Sequence, residues 1–450
     1  MATDLEKAYN AFIAKRAKYT NRWRYYDGDQ PLIYSTERLA EIFNNVNARF
    51  NENWCAVVVD SVLDRLSLSG FDVAKNKTAT DTLADLWSSQ HIDLDADDVH
   101  TACQVTGEAF IIVEKTKDGV EEYYNDPRLV HMFYQANSPK KKSFAAKWYL
   151  GDDEKNYMVL YYPDRIETYV AGKEASSAKA FSLAGTKGKQ ENEFGKIPVF
   201  HFRNERRFVK SAIENALTIQ DAINKLFSDM MVAAEFGAFK QRWIISNTDT
   251  SSLPNVPGSL WELPASDGQG QQTAVGEFGE SNLDTFLNSM NKLARSLSII
   301  TRTPKSFLFE TGAGISGDAL VAMEAPLNKK VESFQKSYQV TWIELASFML
   351  EIQGQAVKES DIAAVWERTE SIQPLSQAQT RKANVEAGMP LISQLREEGK
   401  NEKEIKEIIA EINAKKKRET SLAKELLEKK RLESEQSNDG DAEDAEDTEA

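Results

Sequence analysis

Cysteine and histidine are scarce in this chain of 450 residues, with two of the first (Cys55, Cys103) and four of the second (His91, His100, His131, His201). Two isolated cysteines make neither a disulfide framework nor a zinc set. Both lie in apolar-periodic stretches and read as small buried thiols. No two histidines stand at metal-ligand spacing, and none lies near a Gly-x-Ser-x-Gly elbow, so each reads as a surface or packed side chain. A phosphate-binding Gly-x-x-x-x-Gly-Lys-[Ser/Thr] loop is missing; the nearest run, Gly185-Thr186-Lys187-Gly188-Lys189-Gln190, has the wrong spacing. Asp152-Asp153-Glu154 reads as an exposed turn cluster rather than a cation site. No catalytic residue, metal site or cofactor is expected, and the chain does not read as an enzyme.

Positive charge is also in deficit. Lys and Arg number 55 against 70 Asp and Glu, a formal net charge of −15. Such a surface argues against a protein that coats DNA by neutralising phosphates, and is compatible with one that lets DNA pass without sticking. Much of the excess is local: residues 431–450 hold nine acidic residues against one arginine, with no aromatic and a single leucine. That composition predicts a disordered acidic extension. No uncharged apolar run approaches the ~18 residues of a membrane span. The polar start, Met1-Ala2-Thr3-Asp4-Leu5-Glu6-Lys7, lacks a signal-peptide apolar core, so a reducing, aqueous setting without membrane contact is expected.

What is present is a long alternation of helical and β textures. Leu5, Tyr9, Phe12, Ile13 and Tyr19 predict a helix over 4–26, ended by Tyr25-Tyr26-Asp27-Gly28-Asp29. Further helices are predicted over 36–50, 53–66, 80–90 and 95–106. Short β-branched and aromatic runs then predict antiparallel strands over 108–114, 120–124, 129–134, 143–150, 155–162 and 165–170, with 197–203 leaving the sheet. The small, polar stretch 171–193 reads as a mobile loop. Two amphipathic helices, 211–239 and 281–300, flank a turn-rich insert with strands at 241–246 and 259–263; three of the 12 prolines fall in it. A glycine run from Gly312 to Gly317 precedes a very long helix over 318–353, with Pro326 inside it as a kink. The Gly-x-Gly step follows no strand, which rules out a dinucleotide fingerprint; its glycines permit rearrangement at little steric cost. A possible strand at 365–366 and helices over 377–387, 391–398, 402–413 and 414–431 complete the chain.

Basic side chains cluster at Lys140-Lys141-Lys142, at Arg203 with Arg206-Arg207, and at Lys415-Lys416-Lys417-Arg418. Lys292, Arg295, Arg302 and Lys305 lead from the second amphipathic helix into the glycine run. At least the first two share a helix face. They suit transient phosphate contact or an ordinary solvated face.

The order of these pieces resembles the portal proteins of tailed double-stranded-DNA bacteriophages, of the siphophage type. The matching residues are the turn Tyr25 to Asp29 and the helix Asn53-Trp54-Cys55-Ala56-Val57-Val58-Val59-Asp60 with Asp64-Arg65-Leu66 and Gly70-Phe71. To these add Gly195-Lys196-Ile197-Pro198-Val199, the helix–knob–helix unit, and Ser316-Gly317-Asp318-Ala319-Leu320. Together they span most of residues 20–400.

The resemblance implies an α+β, predominantly helical subunit of a ring, usually a dodecamer, at one capsid vertex. On this chain it places a wing at 1–210, a stem helix at 211–239, a clip at 240–280 and a second stem helix at 281–302. A tunnel loop at 303–317, a long wing helix at 318–359, a crown at 360–430 and the acidic tail at 431–450 follow. The channel or tunnel-loop candidates are Lys292, Arg295, Arg302, Lys305, Gly312, Gly314 and Ser316; Trp243 and Trp261 are candidates for a partner interface on the clip, and a core role suits either tryptophan equally. The implied partners are further copies of the chain, duplex DNA in transit, the terminase large subunit, a head–tail adaptor, and scaffolding and major capsid proteins. The implied location is the virion, reached from the host cytoplasm. The alternative is a different ring-forming or head–tail adaptor protein without a DNA channel.

Overall fold

The structure is a computed structural model. It describes residues 3–31, 52–116, 119–205, 208–238, 242–245, 249, 253, 261, 273–277, 279, 282–308, 317–369, 374–397, 400 and 402–443. The predicted helix over 36–50 lies outside these residues.

Helix α1, Asp4–Tyr26, opens with a capping box: Thr3 accepts from the Glu6 amide and Glu6 reaches back to the Thr3 amide. Helices α2 (Trp54–Leu63) and α3 (Lys77–Ser89) are each capped by an asparagine, Asn53 and Asn76, whose side-chain oxygen takes an amide of the first turn. Helix α4, Ile92–Thr106, stops at Gly107, at φ 101°. A Cβ there would also meet the Lys210 backbone at 2.8 Å, so the chain needs glycine at this position on two grounds.

The β region is two sheets rather than the single one expected. Strands β2 (Glu108–Thr116), β3 (Gly119–Asn125) and β10 (Val199–Arg203) form one, with β2 central. Strands β4 (Val130–Gln135), β5 (Ser138–Leu150), β6 (Asn156–Tyr161) and β7 (Arg165–Ala171) form an antiparallel meander. The stretch read as a mobile loop is folded onto this second sheet. Its strands β8 (Ser182–Leu183) and β9 (Lys189–Glu191) both pair with β7, and Phe181 is buried against Trp148. One aromatic residue anchors a stretch whose average composition reads as solvated.

Two layers of apolar packing hold the halves together. Ala8 and Phe12 of α1 lie on the meander, where Phe12 meets Trp148 edge-on at 5.8 Å. The long helix α7, Gly317–Ile352, lays Tyr338, Trp342, Leu345 and Phe348 across α4 and the three-stranded sheet. Trp342 is fully buried, and its ring lies 4.8 Å from Phe202. Burying each such side chain contributes about 1.5–3 kcal/mol. Beyond α7, strand β13 (Ile362–Trp366) pairs antiparallel with β1 (Leu68–Val73), returning the chain to the first half.

Helix α5 is Leu217–Ala238 and α6 is Asp284–Thr301, packed against each other. The helix predicted from 211 starts later, because 211–216 is a turn held by the Ser211 hydroxyl on the Val105 carbonyl at 2.6 Å. Helices α8 (Pro374–Glu386), α9 (Leu391–Glu397) and α10 (Glu402–Glu443) close the chain. The two predicted helices over 402–431 are one, and it continues to Glu443, so 431–443 are helical rather than the expected disordered extension. The Glu-, Lys-, Ala- and Leu-rich run ahead of them propagates helix at little cost per residue. No helix among the described residues is long and apolar enough to cross a membrane.

Candidate functional site

The helix–knob–helix unit is fixed to the body through polar side chains of α5. Gln220, wholly buried, accepts from the amides of Trp54 and Cys55 at 2.8 and 3.2 Å, satisfying the otherwise unpaired donors at the start of α2. Asn224 accepts from the Glu52 amide at 3.1 Å and Tyr25 donates to Asp221 at 2.7 Å. Ile223 is buried, whereas Leu226, Phe227, Met230 and Met231 are only half-buried. The apolar face of α5 is therefore incompletely covered within one subunit.

Helix α6 has two opposed faces. Met290, Ala294, Leu297 and Thr301 are buried on one. Lys292 and Arg295 lie exposed on the other, beside Ile299 at 66% exposure. The structure thus brings these two predicted residues onto one outward face together with an apolar side chain.

Arg302 ends α6 at φ 57°, a left-handed conformation uncommon for a side chain of this size. Ser298 donates to the Thr303 carbonyl at 2.7 Å, and a 3₁₀ turn over Lys305–Phe307 follows. Three residues that are not among the candidate site residues, Arg65, Glu324 and Lys330, hold this corner. Lys330 donates to the Thr301 carbonyl at 3.0 Å. Arg65 pairs with Glu324 at 3.0 Å and lies 5.6 Å over the Phe307 ring. No local sequence pattern marks them, since they converge from α7 and from the end of α2. Gly312, Gly314 and Ser316 lie outside the described residues.

The knob begins as an antiparallel ribbon of β11 (Arg242–Ile245) and β12 (Ala274–Glu277). The partner of β11 thus lies in a stretch expected to be turns; the strand predicted over 259–263 falls outside the described residues except for Trp261. Trp243 covers Gly276, where a Cβ would come within 2.4 Å of the indole. Arg242 lies over the Trp261 ring at 5.4 Å and pairs with Glu277 at 3.4 Å. Trp243 is 37% exposed and Ile245 62%. An exposed indole beside an exposed isoleucine suits an anchor for another surface.

A buried group of titratable side chains elsewhere ties elements of the body together. Glu108, buried on β2, takes Lys15 at 3.2 Å and Tyr19 at 2.8 Å on one oxygen and His201 Nε2 at 2.8 Å on the other. The ionised Glu108 carboxylate can only accept, so His201 carries its proton on Nε2 and Tyr134 donates to Nδ1 at 3.0 Å. Burial opposes ionisation of Glu108, but the Lys15 charge and the His201 bond overcome it and hold its carboxyl far below the usual range. Desolvation lowers Lys15, lowers His201, and takes His131 down to about 3. The cluster joins α1 to β2, β4 and β10, and no hydroxyl or thiol in it is activated as a nucleophile. Cys55 and Cys103 are free and buried, with burial pushing the Cys55 thiol up to about 12.

The family described as "Phage portal protein, SPP1 Gp6-like" matches residues 5–420, and the chain belongs to it. It is 22% identical over 312 residues to the portal proteins of Mycobacterium phage D29 and Mycobacterium phage L5, an overlap covering 64% of this chain and 62% of each relative. The chain thus spans less than two thirds of the length of these relatives. A solved structure titled "Neck of empty GTA particle computed with C6 symmetry" aligns with 84% of this chain and 99% of its own, at 9% identity and a TM-score of 0.40, a likeness too loose to carry an argument.

Proposed function

We propose that this member of the phage portal family is a non-catalytic ring subunit through which the genome is packaged and released at one capsid vertex. The observation that carries the reading is the α5–α6 pair. Its inner contacts tie it to the body, while Leu226, Phe227, Met230 and Met231 on α5, and Ile300 on α6, away from the Lys292–Arg295 face, keep apolar surface in reach of water. Neighbouring copies around a closed ring would cover that surface.

In this reading residues 1–210 are the wing, 211–239 and 281–302 the stem, and 240–280 the clip. Residues 303–317 are the tunnel loop, 318–359 the long wing helix and 360–430 the crown. Lys292, Arg295, Arg302 and Lys305, with Gly312, Gly314 and Ser316, would contact DNA phosphates transiently inside an otherwise acidic channel. Trp243 and Trp261 would anchor the terminase large subunit during packaging and the head–tail adaptor afterwards; scaffolding and major capsid proteins would meet the outer wing. A twelve-fold ring in the virion, assembled in the host cytoplasm, is the arrangement this family membership favours.

Electron microscopy of the purified protein tests the reading. A ring with a central hole wide enough for duplex DNA is expected. A monomer overturns it, and a closed ring without such a hole would favour an adaptor-type assembly.

A further inference from the structure

A cleft of about 840 Å³ opens between the first half of β5, the 195–197 turn, β10 and α7. Lys140, Lys141, Lys142, Lys196 and Arg203 line it, against Glu344 and Glu359. Two of the cations are matched by α7: Lys142 pairs with Glu344 and Lys196 with Glu351, each at 2.5 Å. Lys140 and Lys141 are exposed and have no carboxylate partner among the described residues. The floor is partly apolar, with Ile197 and Val340 facing it and Val340 44% exposed. On a chain of net charge −15, such a cleft is a local sink for anionic groups. Its size and partly apolar floor suit an acidic segment of polypeptide better than a single small anion.

The chain carries such a peptide. Residues 431–450 hold nine carboxylates, preceded by Leu432. Helix α10 takes that segment away from its own subunit. Ile405 is its last buried side chain among those described, and from there to Glu443 an unbroken helix extends about 57 Å at 1.5 Å per residue. A continuous helix of that length does not turn back onto the body it leaves. We propose that the Lys140–Lys141 cleft of one copy binds the acidic segment 433–449 of a second copy. Each exposed ion pair is worth about 0–1 kcal/mol. A run of them becomes effective because the assembly holds the segment at high local concentration. The contact is therefore salt-sensitive. The inference rests on the ring reading only in needing neighbouring copies.

The test uses the full-length assembled protein and a glutamate-specific protease, with cleavage inside 433–449 followed by mass spectrometry. In low salt the wild-type segment is expected to be cut slowly, and several-fold faster in 0.5 M NaCl. The K140E/K141E variant should be cut at the fast rate in low salt. Mixed ¹⁴N and ¹⁵N copies treated with a carbodiimide should give links from Lys140 or Lys141 to tail carboxylates of the other isotope. Equal cleavage in wild type and K140E/K141E, or links confined to one isotope, would overturn the proposal. Sizing distinguishes the failures: intact rings with unprotected tails sink this inference alone, whereas wild-type monomers sink the ring reading itself.

Discussion

Lys330 of α7 donates to the carbonyl of Thr301, the last helical residue of α6, at 3.0 Å. The contact closes the corner from which the glycine run departs, and it places an ammonium at the negative end of a helix. Burial nevertheless lowers the Lys330 pKa to about 8, and the nearby Arg302 charge adds to the effect. Desolvation therefore outweighs the helix-end attraction.

The sign follows from the proton count. Between pH 8 and the ordinary lysine range the unfolded chain stays protonated at this residue while the native one loses its proton. The unfolded state then binds more protons, and stability rises with pH across that interval. Lys330→Met should flatten the rise. Thermal melts of both proteins at pH 7.5, 9 and 10 check it; an unchanged slope in the variant would show that Lys330 does not titrate there.

Glu122 of β3 is the converse case. It is 5% exposed, and no other residue among those described bonds its carboxylate oxygens. Desolvation, with the Asp95 and Glu121 charges, raises its pKa to about 8. The native state holds a proton that the unfolded chain releases near pH 4.5, so this residue's contribution is intact in acid and is lost as pH rises toward 8. Glu122→Gln keeps the shape and cannot ionise. The variant should gain melting temperature relative to wild type at pH 8.5, with little difference near pH 5. Equal gains at both would mean that packing, rather than charge, is responsible.

Lys15 and Glu108 illustrate what the chain does not announce. The four contributors Lys15, Glu108, His131 and His201 are far apart in sequence and carry no spacing signal, so the histidines read as ordinary surface or packed side chains. By contrast α1 is predicted to its ends because Leu5, Tyr9, Phe12 and Tyr19 recur at helical spacing, although Ile13, read with them, is exposed and Lys15 and Arg22 take buried positions on the helix. The β strands are legible for the same local reason, whereas their division into two sheets is not, since strand partnership depends on residues far along the chain. The paired helices with a β insert are visible as a pattern, but the corner at Arg65, Glu324 and Lys330 is assembled from α7 and from the end of α2.

The buried cluster makes a strong energetic prediction. Glu108→Gln leaves the Lys15 ammonium buried without its counter-charge, and removing one partner of such a pair costs about 3–5 kcal/mol. Lys15→Met alone should also destabilise, because Glu108 then keeps only His201 and Tyr19. The double variant Lys15→Met, Glu108→Gln should lose less than the two single losses added together. A denaturant cycle on the four proteins measures the coupling. Strict additivity would mean that the two side chains do not act as a pair.

The last prediction separates channel chemistry from assembly. Lys292 and Arg295 project from the face of α6 opposite Met290, Ala294 and Leu297, so reversing their charge disturbs no buried contact on this subunit. K292E/R295E should therefore fold and form the same rings as wild type. If the face lines a DNA channel, two added carboxylates per subunit deepen the repulsion of phosphates, and DNA packaged or retained per particle should fall. Bulky replacements at Gly312 and Gly314 should likewise reduce packaging with assembly intact, through loss of backbone freedom. Counting filled particles beside negatively stained rings gives both readouts from one preparation. Loss of rings in K292E/R295E would place this face between subunits; full packaging with intact rings would remove it from the DNA path.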